Sequence, residues 1–196
     1  MVIGDADYFR ASISDIVRVA GVGQGTYYLY FHSKHEIFCE LVRWLGKELR
    51  RELKRATEGV TPRIEAEIAG FQAFFAFIER YRRAYHIVKQ AETVDPTAYR
   101  EYYETLALGY RDAIAAALAE RDYAPYRTPE AIAYMLMGLG DFLCMRYQQW
   151  ATEPIPEAVK ADLTDFLCRA LLPDRGGQRV GELDGSAPVR ADPLAR

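Results

Sequence analysis

No apolar run in these 196 residues approaches the ~20 needed to cross a bilayer, so no membrane-spanning helix is expected. The first ten residues, MVIGDADYFR, hold two aspartates and no apolar core, so no export signal is expected and the protein is expected to stay in the cytoplasm. There are only three cysteines, Cys39, Cys144 and Cys168, an odd and scattered set. They offer neither a disulfide framework nor paired metal spacing, and each sits among apolar residues as a small buried hydrophobe. No segment alternates with period two, so no sheet is expected and the fold class is all-α. Nor is there an internal repeat. A nucleophile–base pair, a carboxylate dyad and a phosphate-binding loop are all missing. The chain is therefore not expected to be an enzyme, with no catalytic residues and no cofactor.

The half of the chain that is hydrophobic falls into helical patterns of ordinary globular kind. The densest information lies between Ser12 and Lys34, SISDIVRVAGVGQGTYYLYFHSK. Ile16, Val17 and Ala20 form an apolar face behind Ser12, which has Asp15 three residues on in capping-box position. Gly21 breaks that helix, because glycine enters the left-handed region without steric cost. A second helix is expected over about Gln24 to Phe31. Two short helices around a glycine turn are a helix-turn-helix, whose second helix can enter a DNA major groove while the first braces it. Residues 1–55 hold nine Lys or Arg and seven Asp or Glu, a net +2, leaving −5 for the remainder of a chain of net charge −3. A basic end on an acidic body is compatible with DNA binding.

The run Ala20-Gly21-Val22-Gly23-Gln24-Gly25-Thr26-Tyr27-Tyr28-Leu29-Tyr30-Phe31, closed by Ser33-Lys34, resembles the signature of the TetR (tetracycline-repressor-like) family of bacterial transcription regulators. It covers roughly a fifth of the chain. The resemblance implies an N-terminal helix-turn-helix domain over 1–55, a helical ligand-binding and dimerisation domain over 56–172 and, by composition, a disordered tail over 173–196. It also implies DNA contacts from Ser12, Ser14, Gln24, Gly25, Thr26, Tyr28, Tyr30 and Lys34. Among these, the Gln24 amide suits an adenine edge, and Gly25 lets the backbone approach. Tyr27 and Phe31 are expected to pack inward. His32 stands where the family often has lysine. In the family a full helix precedes the motif, and only ten residues precede Ala11 here. Most of that helix is thus absent, and the true start is expected upstream of Met1.

Ser33 with Glu36 suggests a second capping box, opening a long helix to about Thr57 with an apolar stripe of Ile37, Leu41, Leu45, Leu49 and Leu53. This helix would be the lever between the two domains. Thr61-Pro62 is read as a cap followed by proline at the first helical position. The helix it opens carries Ile64, Ile68, Phe71, Phe75 and Ile78. Further helices are expected from about Arg82 to Thr93, from Asp95-Pro96 through Leu118, from Thr128-Pro129 to about Trp150, and from Glu157 to Leu172.

The second domain is rich in aromatics. Core packing explains most of them, but buried tyrosines need a partner for each hydroxyl, and a cavity with polar handles is the alternative. Phe71, Phe74, Phe75, Tyr85, His86, Tyr103 and Tyr110 are the candidate ligand-binding residues. Asp141 and Arg146, inside an apolar helix, are expected to pair in the pocket or at a dimer seam. By resemblance the last two helices form a four-helix homodimer interface through Met135, Leu139, Leu143, Leu163, Phe166 and Leu167, with Gly138 and Gly140 allowing close approach. His32 and His35 lie three apart, a chelating spacing, but no third ligand is evident and no metal is expected. The expected partners are double-stranded operator DNA, a small partly apolar effector and a second copy of the chain. The expected role is a repressor released from a palindromic operator. The alternative is a ligand-binding or dimerisation module with impaired DNA binding.

Overall fold

The computed structural model describes residues 7–173. The elements are α1 Ile13–Ala20, α2 Gln24–Tyr30, α3 Lys34–Thr57, α4 Arg63–Arg80, α5 Arg82–Val94, α6 Pro96–Ala119, α7 Pro129–Cys144, a π-helical turn Met145–Trp150, and α8 Glu157–Leu171. No strand occurs among the described residues, and the chain is all-α with a helix-turn-helix at its N-terminal end. The expectations for the first helix and for the tail beyond Pro173 lie outside the described residues.

Local chemistry sets most helix starts. The Ser12 hydroxyl accepts from Asp15 N at 3.1 Å, and the Asp15 carboxylate accepts from Ser12 N at 3.3 Å, a complete capping box. Ser33 delivers only half of one. Its hydroxyl accepts from Glu36 N at 3.1 Å, but the Glu36 carboxylate reaches one residue further back, to His32 N at 2.6 Å. Asp95 caps α6 through Ala98 N at 2.9 Å, with Pro96 as the first helical residue. Pro62 departs from expectation: it is the residue outside α4, in extended conformation after a cis Thr61–Pro62 bond, and the helix begins at Arg63.

α3 is the central strut. Its buried face is Phe38, Val42, Leu45, Gly46 and Leu49, whereas Ile37, Leu41 and Leu53 are only half-buried. A strict four-residue repeat drifts by about 40° at every step, because four residues exceed one 3.6-residue turn. The buried stripe corrects for this by alternating steps of four and three. Gly46 is needed for the packing of α6, since a Cβ there would lie 2.9 Å from the Tyr102 ring. α4, α5 and α6 all pack on α3, and α7 lies across α4 and α6. The fully buried side chains run through all of them and on into α8: Phe38, Leu45, Leu49, Ile78, Ile87, Ile114, Cys144, Leu167 and Leu171.

α7 does not continue as α-helix to Trp150. After Cys144 the chain widens, and Ala151 N–H reaches back to Arg146 O at 3.4 Å. The turn buries Gln148, whose Nε2 donates to the Phe75 carbonyl at 3.1 Å.

Candidate nucleic-acid interface and effector cavity

The reading head is built on one inward anchor. Tyr27 of α2 is buried, donates its hydroxyl to the Ser33 carbonyl at 2.9 Å and stacks near Phe31, at 5.7 Å between centroids. Gly21 closes α1 at φ 69°, its N–H directed to Arg18 O and Val17 O. With Tyr27 turned in, the opposite face of α2 turns out: Gln24, Gly25, Thr26, Tyr28 and Tyr30 are all exposed. Space around Gly25 is open, with nothing within 4 Å of where a Cβ would stand. Exposed polar and aromatic groups at the start and outer face of a helix are what a groove-reading helix presents.

Three of the expected DNA contacts are placed differently from one another. Ser14 is exposed. Ser12 is exposed too, but its hydroxyl is engaged with Asp15 Oδ2 at 2.5 Å. Lys34 is half-buried and bonded within the chain. Its ammonium donates to the carbonyls of Tyr8 at 2.8 Å and Ala11 at 2.9 Å and lies 4.5 Å from the centre of the Tyr8 ring. It therefore fastens the segment before α1 to the start of α3. Tyr8 also packs edge-on to Phe38 at 4.8 Å, and its N–H donates to Gln90 Oε1 of α5 at 2.8 Å.

Behind the head, α3, α4, α6 and α7, with Tyr85 of α5, line a partly open cavity of about 370 Å³. Its apolar wall includes Leu53, Phe71, Phe74, Leu106, Leu136 and Met137. Gly140 leaves room for the Phe74 ring, which would lie 3.2 Å from a Cβ at that position. The expected close approach at Gly140 is thus made within the chain. Of the expected ligand residues, Phe71, Phe74, Tyr85, Tyr103 and Tyr110 line the cavity. Phe75 is buried in the core outside this lining, and His86 is exposed on α5. The helical period explains His86: Tyr85 faces inward, and its chain neighbour is turned about 100° away.

The hydroxyls of Tyr85, Tyr103, Tyr110 and Tyr123 each have a polar partner. Asp141 accepts from the Tyr85 hydroxyl and from Lys89 Nζ, the latter at 2.5 Å, and Lys89 also donates to the Tyr103 hydroxyl at 3.1 Å. Glu67, 3 % exposed, accepts from Arg63 Nη2 at 2.6 Å, from Tyr123 at 2.7 Å and from Tyr110. Burial, reinforced by these carboxylates, pushes the Tyr85, Tyr103, Tyr110 and Tyr123 hydroxyls well above the usual phenol range, so they remain neutral donors. Asp141 is paired in the pocket, as anticipated; Arg146 lies instead near the Tyr147 ring, at 5.2 Å.

The lining residues missed by reading the sequence include Arg50, Leu53, Lys54 and Thr57 of α3, Arg63 and Glu67 of α4, and Tyr102 and Leu106 of α6. For Glu67 a signal existed, since an acid stands at core spacing between Ile64 and Phe71. For Arg50 and Lys54 there was none, because charged residues on α3 look like a solvated face. Arg50 and Lys54 have no carboxylate within 4.0 Å among the described residues, whereas Arg63 and Lys89 are paired.

On the far side, Met135, Phe142 and Phe166 are strongly exposed, and a shallow apolar groove runs between them past Gly138, Leu139 and Leu143. Leu163 and Leu167 are buried within the chain's own core, so of the six expected interface residues these two face inward. At the junction of head and body, His35 and Cys39 of α3 meet Asp95, the cap of α6. His32 is exposed and does not join them.

No helix among the described residues is long and apolar enough to cross a membrane. Residues 1–41 match the sequence model of the family described as bacterial regulatory proteins, tetR family. An uncharacterised HTH-type transcriptional regulator of Bacillus subtilis, YdgC, is 26% identical over 173 residues, covering 85% of each chain. The fatty acid degradation regulator FadR of Bacillus halodurans shares the fold at TM-score 0.76 and 17% identity, covering 85% of this chain and 88% of that one. FadR of Bacillus subtilis, solved in complex with stearoyl-CoA, does so at TM-score 0.72 and 17% identity, covering 85% and 91%. The family match falls on the helix-turn-helix and the fold likeness runs on through the body behind it, so the N-terminal head of this chain is similar to that of the tetR family of bacterial regulatory proteins, and the chain shares the fold of solved regulators of that family.

Proposed function

We propose that this chain is a homodimeric repressor released from a roughly palindromic operator by a small, largely apolar effector carrying an anionic group. The observation that carries the reading is that α3 serves both sites. Its first residue, Lys34, anchors the reading head, and its Arg50, Leu53, Lys54 and Thr57 line the cavity. About 24 Å of rigid helix separates Lys34 from Arg50. A ligand that presses on the Arg50 end moves the head, provided that it binds the two states with different affinity.

The cavity walls support an apolar effector, and the unpaired cations support an anionic one. Arg63 and Lys89 already have carboxylates; Arg50 and Lys54, with none among the described residues, are left to meet charge on the ligand. The B. subtilis FadR complex holds stearoyl-CoA. For this chain the inference is the shared chemistry alone, an acyl-type apolar body with an acidic end. Exposed apolar side chains on α7 and α8 support pairing with a second copy, which would set two α2 helices one DNA turn or a multiple apart, about 34–36 Å.

The test is binding of the full chain to the DNA upstream of its own gene, by fluorescence anisotropy at low salt, with and without saturated fatty acids or their CoA thioesters. Specific binding that these compounds reverse is the expected result. Absence of specific binding, also with an in-frame upstream extension, would show that the head does not read DNA. Binding that no such compound alters would remove the effector assignment alone.

A further inference from the structure

Three potential ligand atoms converge where the reading head meets the body. His35 Nε2 stands 3.2 Å from Asp95 Oδ2, and the Cys39 sulfur stands 3.2 Å from the same oxygen. The sulfur lies 3.8 Å from each ring nitrogen of His35. Ligands around a tetrahedral zinc ion, at bond lengths of about 2.0–2.3 Å, lie about 3.3–3.6 Å from one another. The observed separations bracket that range, and this is the one such group of three among the described residues.

We propose that His35, Cys39 and Asp95 form a binding site for one divalent transition-metal ion of the zinc type. His35 and Cys39 are four residues apart, so one turn of α3 places both on the same face. Asp95 is held for the task by its other oxygen, which accepts from Ala98 N at 2.9 Å and leaves Oδ2 turned toward the pair. That bond plays the orienting part that outer partners play at metal sites. Cys39 is 4 % exposed, while the His35 side chain is half exposed. The ion thus has a route in from the His35 side, where solvent supplies a fourth ligand. Thiolate and imidazole select zinc-type ions over magnesium or calcium. Binding replaces the Cys39 S–H bond by a sulfur–metal bond, the proton passes to solvent, and the ion keeps its oxidation state.

The site joins α3, just behind the reading helix, to the start of α6. Loaded, it staples the head to the body at the junction that also carries the Tyr8–Gln90 hydrogen bond. A consequence for operator affinity rests on the function proposed above; the ion site does not.

The test uses the full reduced chain and Co2+ as a spectroscopic probe, without DNA. One equivalent per chain is expected, with a thiolate-to-cobalt charge-transfer band and tetrahedral d–d bands that Zn2+ abolishes. Cys39→Ser should lose the charge-transfer band, and Cys168→Ser should keep it. His35→Gln, at a half-exposed position that folding tolerates, should weaken binding by at least the about tenfold that even outer-partner changes cost. Absence of a charge-transfer band, its survival in Cys39→Ser, or unchanged affinity in His35→Gln would each overturn the proposal and leave a plain His–Asp pair with a thiol hydrogen bond.

Discussion

Lys34 is fastened to Tyr8 twice, by a 2.8 Å hydrogen bond to the Tyr8 carbonyl and by its ammonium lying 4.5 Å from the ring centre. The resemblance points to a contact with phosphates or nearby bases at Lys34; within the chain it is a brace between the segment before α1 and the lever helix α3. The two uses differ in what they predict. Lys34→Gln should lower stability by about 1–3 kcal/mol, the loss of charge-assisted bonds to two part-buried carbonyls. Its operator affinity should fall while the slope of log affinity against log salt stays unchanged. A slope reduced by about one phosphate's worth would return Lys34 to the DNA interface.

Arg50 offers the sharpest probe of the effector. Arg50→Met keeps most of the stem's packing and removes the guanidinium. Affinity for a medium-chain fatty acid should fall roughly ten- to hundredfold, corresponding to about 1.5–3 kcal/mol for a charge-assisted bond. Affinity for the matching alcohol should hardly change. Calorimetry on both ligands decides, and equal losses would mean that Arg50 shapes the cavity without meeting an anion.

Glu67 is a buried carboxylate on which Arg63, Tyr110 and Tyr123 all converge. Glu67→Leu leaves the Arg63 cation without its partner, and a broken buried pair costs about 3–5 kcal/mol. Urea unfolding should show that loss. The double change Arg63→Met with Glu67→Leu should recover much of it, because the desolvated charge is gone.

Asp15 gives a signed pH effect. Hydrogen bonds from Ser12, then from Arg18, hold its carboxyl down at about 2 against an ordinary 3.8. A lowered folded-state value means stability that is present above the unfolded value and lost as pH falls through the folded one. The melting temperature of wild type should therefore exceed that of Asp15→Asn by a constant margin above about pH 5. That margin should vanish as pH approaches the folded value of about 2. A margin that persisted in acid would assign it to helix propensity instead.

Met135 and Phe142 are 65% and 67% exposed, so charging them does not disturb the core. The double variant Met135→Glu, Phe142→Glu should be a folded monomer by light scattering and circular dichroism, with operator affinity lost through loss of the second head. A dimer that survives would move the interface elsewhere.

Sequence alone determined the helix-turn-helix, the all-α class and nearly every helix boundary, because those depend on short-range chemistry. Ser12 with Asp15, Gly21, and Asp95 with Pro96 act within a few residues, and apolar periodicity along one helix is visible without its neighbours. It also identified most of the cavity's aromatics, since tyrosines at core spacing need polar partners. Tertiary structure decided what depends on which helix faces which. It turned His86 outward, sent Leu163 and Leu167 into the core, and brought Arg50 from a seemingly solvated face to the cavity wall. It also brought Asp95 against His35 and Cys39, some 56 residues away from the cysteine along the chain. Contacts of that kind follow from the packing angles of whole helices around α3, which a one-dimensional pattern does not encode.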